Sequence, residues 1–111
     1  MWSTVLSVSM AGPVDLETLS GLRRSLDLRP HGRLDDDDDG DFGYRYLVDD
    51  GVERRVLLTL WRNRPDEWMV TLLATPADVP DETGLTQLLA EIRAAAQSAG
   101  LTVTREGVWP A

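Results

Sequence analysis

A small α+β domain, with two helices laid on one face of a mostly antiparallel sheet, is the fold class this sequence predicts. Three observations carry it. Residues 3–10 alternate apolar and polar, the period of a half-buried strand. Apolar residues recur at helical spacing in two separate stretches, 16–26 and 85–99. Between those stretches lie strand-like segments punctuated by turn residues.

The elements follow in chain order. Leu6, Val8 and Met10 share one side of the first strand, Ser7 and Ser9 the other, and Gly12-Pro13 breaks the pattern. Leu16, Leu19, Leu22 and Leu26 mark the inner face of a first helix, with Pro30 just beyond its end. Gly21 weakens that helix by about 1 kcal/mol relative to Ala. After an acidic loop comes a meander of three strands, residues 42–48, 52–62 and 67–75. Its turns are Asp49-Asp50-Gly51 and Asn63-Arg64-Pro65-Asp66. Asp81 is placed to cap a second helix, with Glu82 in the first turn where the helix dipole favours an acid. Leu85, Leu88, Leu89, Ile92, Ala95, Ala96 and Ala99 trace its apolar face, and Gly100 supplies a left-handed C-cap. Residues 101–108 form a last strand, with Leu101 and Val103 pointing inward. The order β-α-β-β-β-α-β makes a two-layer sandwich, and its expected topology is a ferredoxin-like variant with one extra strand.

At 111 residues the chain is one domain, long enough to bury a core without staples. It has no apolar run of the ~18 residues that a membrane span needs. The opening MWSTVLSVSM lacks the positive n-region of a signal peptide, so a cytoplasmic protein is expected. Cysteine is absent, which excludes disulfides, thiolate chemistry and cysteine zinc sites. All eleven basic residues are Arg. With abundant Ala, Gly, Asp and Leu, that bias points to a genome rich in G and C rather than to a selected phosphate-binding set. The net charge is −8, yet six Asp fall within residues 35–41 and leave only −2 for the remainder. An acidic chain disfavours nucleic acid and is compatible with a basic protein partner.

Asp35, Asp36, Asp37, Asp38, Asp39 and Asp41 form a candidate partner contact. Asp35, Asp37, Asp39 and Gly40 match the opening of a calcium loop, but Tyr46 stands where its closing bidentate Glu belongs. The loop also joins a helix to a strand, not two helices. A solvated loop is the simpler reading, and no metal site is assigned.

The tryptophan hairpin is more informative. A four-residue loop at 63–66 would set Arg62 opposite Glu67 and Trp61 opposite Trp68. Parity then places Leu57, Trp61, Trp68, Val70 and Leu72 on one face, and Val56, Leu58, Leu60, Met69 and Leu73 on the other. Both faces are apolar, whereas helices on one side would leave the far side polar. The first set is therefore a candidate protein interface, covered by a second copy or by another protein. The competing account has Val108-Trp109-Pro110 fold across it, or has the sheet curl on itself.

Arg45, Arg54, Arg55, Arg62 and Arg64 crowd the meander beside Asp49, Asp50, Glu53, Asp66 and Glu67, and are read as cross-strand ion pairs. His31, the one histidine, stands in the turn Pro30-His31-Gly32. No glycine-rich phosphate loop, no paired-histidine motif and no nucleophile elbow is present, so neither a catalytic residue nor a cofactor is assigned. The expected function is that of a small acidic binding or accessory protein, not an enzyme. In composition it is similar to immunity proteins that neutralise a basic toxin or nuclease. The alternative is a small cofactor-free dimeric α+β-barrel enzyme, its apolar sheet face lining a pocket for an aromatic or polyketide-like substrate.

Overall fold

The structure, a computed structural model, describes residues 3–30, 41–49, 54–64, 66–75 and 78–108. In chain order its elements are β1 (Ser3–Ala11), α1 (Leu16–Ser25), β2 (Arg29–Pro30), β3 (Asp41–Asp49), β4 (Arg54–Arg64), β5 (Glu67–Ala74), α2 (Glu82–Ser98) and β6 (Thr102–Val108). The strands form an antiparallel sheet in the order β2-β3-β4-β5-β1-β6. The α+β class and the two-layer arrangement are as expected. The sheet has one strand more than the five expected, because the short β2 pairs with Tyr44 and Gly43 at the β3 edge.

Local chemistry explains both helices. Asp15 caps α1, its carboxylate accepting from the Thr18 amide at 2.8 Å, and Asp81 caps α2 by accepting from the Gly84 amide at 2.7 Å. The Thr18 amide and hydroxyl hold the Asp15 carboxyl below the usual carboxylate range. At the far ends the two helices use one device. The Leu28 amide donates to Arg23 O and the Leu101 amide to Ala96 O, which satisfies carbonyls left over by the last turn. The left-handed residue in that motif is Gly100 after α2 (φ +75°) but Asp27 after α1 (φ +53°).

Both helices lie on one side of the sheet. Leu19, Leu22 and Leu26 of the α1 region and Leu88, Ile92, Ala95 and Ala96 of α2 pack on Leu6, Val8 and Met10 of β1, Val56, Leu58 and Leu60 of β4, and Trp68, Val70, Leu72 and Ala74 of β5. Leu16 departs from the expected inner face of α1: it is 70% exposed. Val5 joins Leu6 in the core because a register shift between Thr4 and Leu6 turns both inward. Gly43 is required by close approach, since a Cβ there would stand 3.1 Å from Leu28 Cβ, where the end of α1 turns into β2.

Arg45 ties the layers together. Its guanidinium donates to Leu26 O at 2.9 Å and pairs with Glu91 of α2 at 3.0 Å. It is thus a strut between helix and sheet, not the cross-strand ion pair expected. On the opposite edge, Arg93 of α2 grips Glu106 of β6 through two 2.6 Å bonds. That contact keeps the Glu106 carboxyl below the usual range and raises the Arg93 guanidinium. Among the described residues, no helix is long and apolar enough to cross a membrane.

Candidate functional site: the helix-free face of the sheet

Register decides which side chains reach the open face. Along β4 and β5, Thr59 pairs with Thr71, Trp61 with Met69 and Arg62 with Trp68. The expected Trp61–Trp68 pair therefore does not form. The candidate interface divides: Leu57 and Trp61 lie on the open face, whereas Trp68, Val70 and Leu72 lie in the core with no exposure. Met69 and Leu73, assigned to the opposite set from the sequence, are the residues that accompany Leu57 and Trp61.

A β-bulge causes the exchange. β4 runs on to Arg64, which pairs with Glu67, and the register shifts between Arg62 and Arg64. A four-residue loop and a two-residue loop without a bulge would both have left Trp61 facing an even-numbered partner on β5. One additional residue in β4 changes the parity, and every side chain downstream changes face.

Trp68 shows how completely it has been drawn inside. Its indole nitrogen donates to Pro13 O at 3.0 Å, and its ring meets Phe42 edge-on at 5.9 Å. The Arg62 guanidinium sits 5.8 Å from the centre of the Phe42 ring. The buried indole thus has the hydrogen-bond partner its N–H requires.

Three rows of side chains cross the open face. The first is Tyr46, Leu57, Leu73 and Thr4, and the second is Tyr44, Thr59, Thr71 and Ser7. The third contains Trp61, Met69 and Ser9. Leu57, Trp61, Met69 and Leu73 are each half-buried and none belongs to the core. Tyr44 and Tyr46 meet edge to face at 5.9 Å.

The polar atoms at the centre of this face are bonded to one another. Thr59 and Thr71 share a 2.5 Å hydroxyl contact. The Trp61 indole leans along β4 and donates to Thr59 Oγ1 at 2.6 Å and Thr71 Oγ1 at 3.1 Å. Both hydroxyls are consequently almost inaccessible, at 2% and 8% exposure. Trp61 is held in one orientation with its N–H satisfied, and what it offers outward is ring surface. Glu67, Arg29 and Arg105 are charges on this side among the described side chains, and they lie toward its margin: Glu67 at the start of β5, Arg29 and Arg105 on the two outermost strands.

A concavity of about 370 Å³ opens where Asp27, Leu28, Arg29, Arg45 and Tyr46 meet. Arg45 there is already committed to Leu26 O and Glu91, so this cleft is the seam where the turn after α1 and β2 meet β3.

Asp35 to Asp39, His31 and the turn at Asp50-Gly51 lie outside the described residues, as do Trp109, Pro110 and the side chains of Asp41, Arg54, Arg55 and Arg64. Sequence reasoning missed Tyr44, Tyr46, Met69 and Leu73 as members of the face. Pro65 and Asp66 mark a turn in the sequence but not the length of the connection. The bulge itself has no comparable signature. Comparison with known proteins finds no matching family model, no matching curated protein and no matching solved structure.

Proposed function

We propose that this protein acts by association and not by catalysis: a small acidic accessory protein of the cytoplasm that binds a protein through the helix-free face of its sheet. The observation that carries the reading is the chemistry of that face, where Leu57, Trp61, Met69 and Leu73 adjoin and the charges among the described side chains lie toward the margin. Contiguous apolar surface of this kind marks interaction sites. Trp61 and the two tyrosines are of the residue types that dominate binding energy at interfaces. A reactive site would need polar groups converging on a pocket. Here the central polar atoms satisfy one another instead.

Affinity capture from the source cell tests the reading, with the wild type, Trp61→Glu and Leu16→Glu as baits. Leu16 is exposed on the helix side and serves as the control. The expected result is a protein retained by wild type and Leu16→Glu but lost by a folded Trp61→Glu. Equal retention by all three baits, or a Trp61→Glu chain that no longer folds, would remove the proposal.

A further inference from the structure

We draw no further inference here: the strongest candidate, the cleft between the turn after α1 and β3, is lined by Asp27 and Arg29, which are exposed, and by Arg45, which is already bonded to Leu26 O and Glu91, and nothing in the structure shows what would fill it.

Discussion

Asp27 holds a backbone conformation that an L side chain adopts at a cost of about 1–2 kcal/mol, and it does so where glycine is the ordinary choice. Asp27→Gly should therefore raise stability, by about 0.5–1 kcal/mol once the greater freedom of glycine in the unfolded chain is subtracted. Gly21 is the converse case. It lies within α1 with open space where a Cβ would go, so Gly21→Ala should add about 1 kcal/mol. Gly12 has φ +153° and a Cβ there would fall 2.3 Å from Leu101 Cδ2, so Gly12→Ala should lower stability. Urea denaturation of the three variants checks the signs together. A gain at Gly12, or a loss at Gly21, would mean that the backbone at these positions differs from the one described.

At the scale of elements, the layers are held by burial and tied at their edges by ions. Ile92 of α2 has no exposure, and Ile92→Ala should cost about 2–5 kcal/mol. Leu16→Ala, on the exposed side of α1, should stay within about 0.5 kcal/mol. Equal losses for the two would mean that α1 is rotated on the sheet. The Arg93–Glu106 contact between α2 and β6 makes a prediction in pH. Its bonds hold the Glu106 carboxyl below its ordinary value, so the folded state releases that proton more readily than the unfolded state does. The contribution is fully present above the ordinary glutamate pKa of about 4.3, and is lost as pH falls from there through the lower folded value. Glu106→Gln should therefore reduce stability near neutrality. The difference in melting temperature from wild type should shrink as pH falls below about 4.3. A difference constant down to acid pH would show that the ion pair contributes nothing.

The pairing of β4 with β5 shows where sequence reading stopped at this scale. The two strands, their ends to within a residue or two, and the apolar character of both faces were legible in residues 52–75. The assignment of Trp61 and Trp68 to one face was not. It depended on the parity of a register, and one bulged residue before Arg64 reversed it. An inserted ladder residue has no composition or spacing of its own, because its position is settled by how the strand twists onto its neighbours. β2 was missed for a related reason: two residues show no periodicity, and Arg29–Pro30 counts as a strand only because β3 lies alongside.

For the whole molecule, local rules determined the α+β class, both helices with their caps, the inner face of α2 and the confinement of negative charge to one segment. These depend on residues within a turn or two of each other, where propensity, capping and periodicity act directly. The failure of hydrophobic-in, polar-out alternation in the meander was legible too, and with it the existence of a second apolar surface. The tertiary structure alone decided what that surface contains. It moved Trp68, Val70 and Leu72 into the core and left Leu57 and Trp61 outside. It then joined them with Met69, Leu73, Tyr44 and Tyr46, and fastened Trp61 to two threonines, one of them on the neighbouring strand. The physical reason is that a strand's faces alternate residue by residue, so membership of a face depends on long-range register, which no local segment specifies.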